Sequence, residues 1–489
     1  MNIKKLSDPL RQIAWAFLFL ALPVTSFRYF PPALGGSAIV QPLALYAVIL
    51  LLVFFVLPRL FKNGLPKTLQ PLLVFILLAL ASSLLAVFKD VESVRGIDAF
   101  SRALRGVATL GVGASFFLVV ALLPRSEADL QRALRWLYAG LAISLVWGFL
   151  QAVYVILDVP EYYQWINQAQ RLFSTRKLIF NRISGLTYEP SWFADQITFL
   201  YLPWLLSAVI SNSTVFPWRW RRLTVEAVLL VASIAIMPFT FSRGGLAMLA
   251  VLIFVTVIFL RPVRLESLRQ KFGLARAAFS RLLQAALILA VLAGAIYLAS
   301  ERNSFFARLW NFWGESADTS LERYLYYIGF GPRINYWETA YAIYEDYPVF
   351  GIGLGNYAFY FEEYLPYFPI ALEPEILRRL TPDASVRGLI TPKHLILRLL
   401  AETGLMGTAA FAAFGVAVLG CALYLWLSPD PRQSFWGRAA ILGLLSFGLS
   451  AFSFDSLALP NMWVVFGMVT AAAGIFSAHP GAEPAVETA

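Results

Sequence analysis

Long apolar stretches recur along this chain, and they constrain its fold more than any other feature of the sequence. A helix needs about 20 mostly apolar residues to cross the hydrocarbon core of a bilayer. Twelve segments of the sequence approach or reach that length. They are residues 11–28, 37–58, 68–88, 106–123, 134–157, 192–210, 223–241, 244–260, 281–299, 405–427, 438–458 and 461–478. The sequence therefore predicts an all-α integral membrane protein with about twelve transmembrane helices.

The composition excludes most other classes of protein. Apolar residues make up 59% of the chain and charged residues 14%, against about 45–50% and about 25% in an ordinary soluble domain. With 40 Phe, 21 Tyr and 14 Trp, the chain has too many hydrophobic side chains for a disordered protein. A single cysteine, Cys421, and only two histidines exclude a disulfide framework and a metal site rich in Cys or His.

Basic residues in the short connections predict the orientation of the spans. Clusters at 59–67, 125–135, 219–222 and 261–281 all fall on one side of a twelve-span layout. That side also holds both termini, so we expect both in the cytoplasm and the protein in the cell inner membrane. The net charge of +10 indicates no nucleic acid partner, because the anionic lipid of the inner leaflet is a sufficient partner for these loops.

The connection between the ninth and tenth spans is far longer than the others and is expected on the extracytoplasmic side. Eleven of the 21 tyrosines lie between Tyr324 and Tyr367, a content too aromatic for a disordered loop. Helical patterns occur at 334–347 and 394–401. We therefore divide the chain into spans 1–9 at 1–299, a helical cap region at 300–404, and spans 10–12 with a short cytoplasmic tail at 405–489.

Two arginines on the external side are candidates for anion binding. Arg243 follows Ser242 and precedes two glycines at the outer end of the seventh span, where a charge is costly. Arg333 follows a Gly-Pro pair that suits the first turn of a helix, which would place Trp337 and Tyr341 on its face. A guanidinium beside aromatic rings suits a sugar diphosphate. The alternatives are an interfacial arginine at position 243 and a structural cation–π pair at position 333.

A third candidate group lies where the cap region ends. His394, Arg398 and Glu402 follow a spacing of four residues, so they share one stripe of a helix. His394 is the one histidine expected on the external side, and its ordinary pKa of about 6.5 suits a proton acceptor. A structural histidine is the alternative. The preceding glycines at 351, 353 and 355 are a weak nucleotide motif, because no strand precedes them, and a tight turn is favoured.

A fourth candidate group lies in the external connection before the sixth span. Glu189 sits where the chain re-enters the bilayer, at a position where a carboxylate is costly unless it is paired. It could accept a hydroxyl proton or form an ion pair with Arg182, and the sequence leaves both readings open.

These residues also carry a resemblance to a known family. The run Arg333…Trp337…Pro348…Gly351-Ile352-Gly353…His394…Glu402-Thr403-Gly404 resembles the signature region of the O-antigen ligase and O-antigen polymerase superfamily. Members of this superfamily, which are WaaL-like and Wzy-like, are membrane glycosyltransferases of the GT-C type. The chain has His394-Leu395 where many members have His-Asn.

The resemblance implies transfer of a glycan from an undecaprenyl-diphosphate carrier to an acceptor hydroxyl, with no metal and no other cofactor. Arg243 and Arg333 would then hold the diphosphate, and His394 would position or deprotonate the acceptor. The segment with Arg182 and Glu189 looks more like the polymerases than the core ligases. A chain-length regulator and a flippase are possible partners under this reading.

The complete prediction has three sets of residues. They are His394 and Glu189 for catalysis, Arg243, Arg333 and Arg182 for the diphosphate, and Trp337, Tyr341 and Arg398 for the glycan or acceptor, with no metal ligands. The predicted activity is that of an inverting polymerase acting at the outer face of the inner membrane. A ligase acting on lipid A-core, a protein O-oligosaccharyltransferase and, from another class, a secondary transporter are the alternatives.

Overall fold

The computed structural model describes most of the chain as helix. The described residues are 3–31, 40–64, 66–89, 91–157, 159–221, 223–260, 265–300, 304–315, 320–366, 374–380 and 389–478. Their α-helices are α1 Ile3–Ala21, α2 Leu45–Leu51, α3 Leu57–Asn63, α4 Gln70–Val87, α5 Ala99–Leu122, α6 Glu127–Leu157, α7 Pro160–Phe173, α8 Pro190–Asp195, α9 Leu202–Ser211, α10 Val225–Ile236, α11 Arg243–Val255, α12 Leu265–Ser300, α13 Ser304–Glu315, α14 Leu321–Tyr327, α15 Gly331–Asp346, α16 Tyr357–Tyr360, α17 Pro374–Leu380, α18 Leu395–Trp426, α19 Pro431–Ser450 and α20 Pro460–Ala478.

Short segments of other structure join or extend these helices. They are π-helical turns at Leu52–Val56, Gln196–Tyr201 and Thr256–Leu260, 3₁₀ turns at Lys67–Leu69 and Met237–Thr240, and the antiparallel strands β1 Arg219–Trp220 and β2 Leu223–Thr224. The π-helical turns continue α2, α8 and α11, so that each of these helices becomes long enough to cross a membrane.

Eight helices among the described residues are long and apolar enough to span a bilayer. They are Leu45–Lys62, Gln70–Val87, Ala99–Leu122, Glu127–Leu157, Pro190–Ser211, Arg243–Leu260, Leu395–Trp426 and Pro460–Ala478. Each corresponds to one of the twelve predicted spans. The other four predicted spans lie on α1, α10, α12 and α19, of which α10 and α12 offer only shorter apolar stretches. The chain is therefore a multi-pass helical membrane protein, and the number twelve stays a prediction.

Local sequence explains where several helices begin. The side chains of Asp98, Thr224 and Ser242 accept hydrogen bonds from backbone N–H groups three residues later, at the starts of α5, α10 and α11. Proline occupies the first turn of α4, α7, α8, α15 and α19, where its missing N–H costs nothing. These signals end the loops sharply and so fix where polar loop residues meet the bundle.

One large hydrophobic core runs through the bundle. The last helix, α20, lies at its centre, packed on α5, α18 and α19, while α18 also packs along α4. The cap region has a second, smaller core, in which Tyr336, Ile343, Tyr357 and Phe361 are buried. The helix predicted at 334–347 is present as α15, and α18 already begins at Leu395.

The bundle has two polar ends. The upper end is formed by residues 22–31, 174–189, 240–242 and 451–459, together with α13–α17. Hydrogen bonds join these segments, from Tyr188 N–H to Thr25 and from Leu395 N–H to the carbonyl of Ala451. The lower end is formed by residues 57–64, 123–126, 211–221 and 427–430. The N-terminal ends of α1 and α6 lie at the lower end. The candidate site residues lie near the upper end, either in its loops or on helices that begin there.

A glycine-rich loop connects the cap region to the bundle. Ser82 of α4 donates to the carbonyls of both Phe350 and Glu402, at 2.5 and 2.8 Å, and thereby ties the loop to α18. The backbone N–H groups of Ile352 and Gly353 donate to the carbonyls of residues 401 and 402. The tight turn predicted at these glycines is confirmed, and it is wedged between α4, α5 and α18.

Candidate functional site

An aromatic cluster connects the predicted histidine with the predicted arginine of the cap region. The ring of Trp337 meets the ring of His394 edge-on, with centroids 5.2 Å apart, and meets Phe330 in the same way at 5.4 Å. Phe452 closes the other side of His394 at 4.8 Å. The Arg333 guanidinium lies 6.0 Å from the centre of the Phe330 ring. The structure therefore brings Arg333, Trp337 and His394 into one group.

Arg333 lies in the first turn of α15, where it is partly buried. Loss of hydration lowers the pKa of its guanidinium, although Glu375 and Asp455 oppose the shift, and an arginine so placed still carries its charge at neutral pH. Its Nη1 is buried and has no hydrogen-bond partner among the described residues, and the same holds for Nε1 of Trp337. Buried donors normally have partners, so two such donors side by side are unusual and make this place a candidate binding site.

His394 is the N-cap of α18 and is 8% exposed. Its Nδ1 accepts a hydrogen bond from the N–H of Leu397 at 3.3 Å. The neutral ring therefore carries its proton on Nε2 and presents a donor there. Burial lowers the pKa of His394, and Asp455 opposes that shift, so the ring is neutral at physiological pH.

Arg243, at the start of α11, contacts the segment that leads into the aromatic cluster. Its Nη1 donates to the carbonyl of Ile328, two residues before Phe330. A Cβ placed on the neighbouring Gly244 would lie 3.6 Å from the Oγ of Ser453, the residue after Phe452. The start of α11 thus lies against the segments that carry Phe330 and Phe452.

Arg182 lies beside Arg243 because its loop packs on the turn before α11. Its Nε donates to the carbonyl of Thr240 at 2.9 Å, and Ile183 N–H donates to Phe239. Burial lowers the pKa of Arg182, while Glu189 opposes the shift. Arg182 and Arg308 both lie within electrostatic range of Arg243. These three arginines, which we call the arginine cluster, add positive charge to the same part of the upper end.

Glu189 forms its ion pair with Arg176, and the Ser191 hydroxyl donates to it at 3.3 Å. The guanidinium of Arg176 also lies over the ring of Tyr188, 4.6 Å from its centre. The sequence offered Arg182 as the partner of Glu189. In the structure the ion pair is with Arg176, and Arg182 interacts with Glu189 through longer-range electrostatics. Glu189 thus lies at the margin of the arginine cluster, with its carboxylate partly exposed.

Arg398 is buried inside the bundle rather than presented to a ligand. Its Nε donates to Glu402 at 2.9 Å and its Nη1 to the backbone carbonyl of Asp455 at 2.8 Å. The two side chains of this ion pair are 8% and 1% exposed. These contacts favour a structural role over the predicted contact with a glycan. Tyr341, by contrast, is 50% exposed on α15, with the ring of Tyr344 beside it.

The comparison with known families finds a match that covers the cap region. Residues 227–412 match the model of the O-antigen ligase family. The chain carries an O-antigen ligase domain. The match confirms the predicted membership in the O-antigen ligase and polymerase superfamily. It indicates an enzyme of glycosyltransferase type that acts on lipid-linked glycans within a membrane.

The extent of the O-antigen ligase domain separates two groups of candidate residues. Arg243, Arg333, Trp337 and His394 fall inside the matched segment, while Arg182 and the Glu189 loop precede it. The comparison with curated proteins gives no match to the chain. The assignment of Arg182 and Glu189 to the site therefore depends on the contacts described above.

Sequence reasoning missed two charged residues that the fold brings to this place from outside the matched segment. Asp455 accepts a hydrogen bond from the N–H of Lys393 at 2.9 Å, directly before His394. Arg102, at the start of α5, donates to the carbonyl of Gly355 at 2.9 Å. A charge next to the end of a span was the one available signal for each. Within the described ranges, no cluster of three or more His, Cys, Asp or Glu side chains could hold a metal ion.

Proposed function

We propose that this protein is a metal-independent, inverting glycosyltransferase. It moves a glycan from an undecaprenyl-diphosphate carrier to an acceptor hydroxyl at the outer face of the inner membrane. The observation that carries this proposal is the pair of buried donors without partners, Arg333 Nη1 and Trp337 Nε1, next to His394. Both donors suit phosphate or sugar oxygens, and the family match supports a lipid-linked glycan as substrate.

The arginines supply the electrostatic part of the proposed reaction. When the bond between the anomeric carbon and the phosphate oxygen breaks, the diphosphate leaves with an additional negative charge. Fixed guanidinium groups in a water-poor site stabilise that charge more than they stabilise the bound substrate. We assign Arg333, Arg243 and Arg182 to this role. The acceptor oxygen attacks the opposite face of the anomeric carbon, which inverts its configuration, and the proton of the acceptor hydroxyl passes to Glu189 or to water.

We assign His394 the role of holding the acceptor hydroxyl through its Nε2–H. To act as a general base at Nε2, the ring would have to carry its proton on Nδ1 instead. A protonated Nδ1 could no longer accept the hydrogen bond from Leu397 N–H, so the helix cap would be lost. The capped ring therefore supports positioning more directly than proton removal. Trp337 and Tyr341 provide aromatic surface for sugar rings, and Glu189 remains the alternative base.

An apolar groove supports the lipid part of the donor. It has a volume of about 470 Å³ and runs between α6 and the loop that carries Arg182. Ile143, Val146, Trp147 and Leu186 line it. A polyprenyl chain lying there would place its diphosphate near the arginine cluster, because Leu186 lies in the same loop as Arg182. The two side chains of the groove on α6 that face outward, Ile143 and Val146, are exposed and so accessible from lipid.

We propose polymerase activity, in which both donor and acceptor are carrier-linked glycans, on the resemblance of the Arg182–Glu189 segment to polymerases. A decisive experiment incubates the purified protein with undecaprenyl-diphosphate oligosaccharide as the sole substrate. A ladder of longer glycans is expected. If product forms only after lipid A-core or an acceptor protein is added, the enzyme is a ligase or a protein O-oligosaccharyltransferase. Movement of glycan across liposomes without any new glycosidic bond would indicate a transporter.

A further inference from the structure

A second cavity, with a basic rim, lies at the lower end of the bundle, far from the proposed catalytic group. It has a volume of about 350 Å³ and opens between α1, α6 and the turn before α6. α1 begins at this end and leads to Thr25, which bonds to Tyr188 at the upper end. The cavity and the arginine cluster around Arg243 therefore lie at opposite ends of the same helices.

The walls of the cavity are apolar and its rim is basic. Ile13, Ala16 and Leu123 form the walls, and Arg11 and Arg132 contribute guanidinium groups. Ile13 is 67% exposed, so the wall continues onto the outer surface of the bundle. A cavity with apolar walls and a basic rim suits an amphipathic molecule with an anionic head.

Positive charge exceeds negative charge around the rim. Arg11, Arg125 and Asp129 lie within electrostatic range of Arg59. Asp129 is already occupied, because it accepts hydrogen bonds from the N–H of Arg125 at 2.9 Å and from the Arg132 side chain at 2.5 Å. Asp8 pairs with Arg11 at 3.7 Å, so two carboxylates face the four guanidinium groups of residues 11, 59, 125 and 132. The rim therefore keeps an excess of positive charge, which an anion from outside the chain would balance.

Two tryptophans border the cavity, and tryptophan is the residue type that membrane proteins favour at the membrane interface. Trp15 is 8% exposed, and its Nε1 has no hydrogen-bond partner among the described residues. Trp136, on α6, is 42% exposed. A phospholipid offers ester and phosphate oxygens to donors of this kind. An indole N–H without a partner is therefore a second, independent indication of a ligand.

We propose that this cavity binds one anionic phospholipid in the leaflet opposite the proposed catalytic site. Its phosphodiester lies between Arg11 and Arg132, and one acyl chain lies along Ile13 and Ala16. Basic pockets between membrane helices bind anionic headgroups in this way. A neutral phospholipid would leave the excess of guanidinium charge uncompensated, and a free phosphate would leave the apolar wall unused. This site is independent of glycan transfer.

Native mass spectrometry of the full chain in mild detergent tests the proposal. The protein is titrated with phosphatidylglycerol and, separately, with phosphatidylcholine of the same acyl chains. One tightly bound phosphatidylglycerol is expected, with phosphatidylcholine bound about 10-fold or more weakly. The double variant R11Q/R132Q should weaken phosphatidylglycerol binding by about 10- to 30-fold. Equal binding of the two lipids would overturn the proposal.

A matched control removes two charges from the same end without touching the cavity. The variant R219Q/R221Q alters exposed arginines of the β1–β2 hairpin and should bind phosphatidylglycerol like the parent. An equal loss in both double variants would show a general effect of net charge and contradict a specific site. Displacement of the bound lipid by millimolar glycerol phosphate would also contradict it, because that molecule has no acyl chain.

The variant Ala16→Leu tests the apolar wall while all charges stay in place. Filling the wall should weaken binding of phosphatidylglycerol by about 10-fold, whereas unchanged binding would overturn the proposed position of the acyl chain. This variant also carries the test if R11Q/R132Q does not fold. Gel filtration and the unfolding temperature of each variant show which proteins are folded.

Discussion

Among single residues, Arg333 makes the sharpest prediction for catalysis. Arg333→Ala removes the donor that we assign to the diphosphate, and the rate of glycan transfer should fall by about 10²–10³. Arg333→Lys keeps the charge but loses the planar pair of donors, so it should restore the activity only in part. Transfer by purified variants to a carrier-linked acceptor measures both effects.

The control for Arg333 is Arg323→Ala in the neighbouring helix α14. Arg323 is exposed and lies on the helix that precedes α15, so its loss should change the rate less than about twofold. Full activity of Arg333→Ala, or equal losses in both variants, would contradict the assignment of Arg333 to the diphosphate.

His394 makes a prediction that separates positioning from proton removal. Asparagine is a good N-cap, so His394→Asn should preserve the start of α18 but lose the donor at Nε2, at a cost of about 10²–10⁴ in rate. Glutamine places an amide N–H near the position of Nε2, so His394→Gln should retain more activity than the asparagine variant. Equal inactivity of the two folded variants would instead favour a general base.

The same histidine predicts the pH dependence of the enzyme. Burial lowers the pKa of His394, so its neutral, helix-capping form persists to a lower pH than that of a free imidazole. The transfer rate should therefore stay level from neutral pH downward and fall only below about pH 6.5. A pH–rate profile of kcat checks this prediction. An acid limb above pH 7 would contradict it.

At the scale of secondary-structure elements, the kink at Gly404 joins α18 to the glycine-rich loop. Gly404 has φ of +63° and ψ of −168°, a conformation that residues with a side chain rarely adopt. A Cβ at this position would lie 2.3 Å from the carbonyl oxygen of Val349. Gly404→Ala should therefore destabilise the protein by about 1–3 kcal/mol, measured as a lower unfolding temperature.

Gly420 on the same helix is the matched control for Gly404. A Cβ there meets no other atom within 4 Å among the described residues, so Gly420→Ala should be neutral or stabilising by up to about 1 kcal/mol. If both variants lose the same stability, then replacing any glycine of α18 by alanine is destabilising, and the kink has no special role.

The buried ion pair of α18 makes the second prediction at this scale. Arg398→Ala leaves the Glu402 carboxylate buried without its partner and should cost about 3–5 kcal/mol of stability. The double variant R398M/E402L removes both charges and should recover most of that loss. Unfolding temperature and transfer rate are both measured. A folded double variant that fails to transfer glycan would restore Arg398 to the acceptor site.

Local spacing explains which elements could be predicted from the sequence. The row of Arg333, Trp337 and Tyr341 depends on helical periodicity alone, and α15 confirms the helix. The start of α18 within the predicted cap region and the packing of the glycine loop against α4 depend on contacts between distant segments. The pairing of Glu189 with Arg176 and the approach of Asp455 to His394 depend on such contacts too. No spacing rule reports contacts of this kind.

At the scale of the whole molecule, the number of spans is the open prediction. Eight helices satisfy the length and hydropathy that a bilayer requires, while α1, α10, α12 and α19 carry the other four predicted spans. Polar sequence explains the difference in particular cases. α19, for example, includes Arg432 and Arg438, and α10 passes into a 3₁₀ turn before the external loop. Burial among neighbouring helices can hold such segments in a membrane without high hydropathy.

Cysteine labelling distinguishes the two layouts. With Cys421 replaced by serine, single cysteines are placed at Asp8, Thr68 and Glu362, which are exposed. Twelve spans place Asp8 and Thr68 on the cytoplasmic side and Glu362 on the outer side. Eight spans place Thr68 opposite Asp8, and Glu362 on the same side as Asp8. A membrane-impermeant maleimide added to intact spheroplasts should therefore label only the cysteine at Glu362. Labelling at Thr68 but not at Glu362 would show that the eight-span layout is the right one, and the outer position of the arginine cluster would then be wrong.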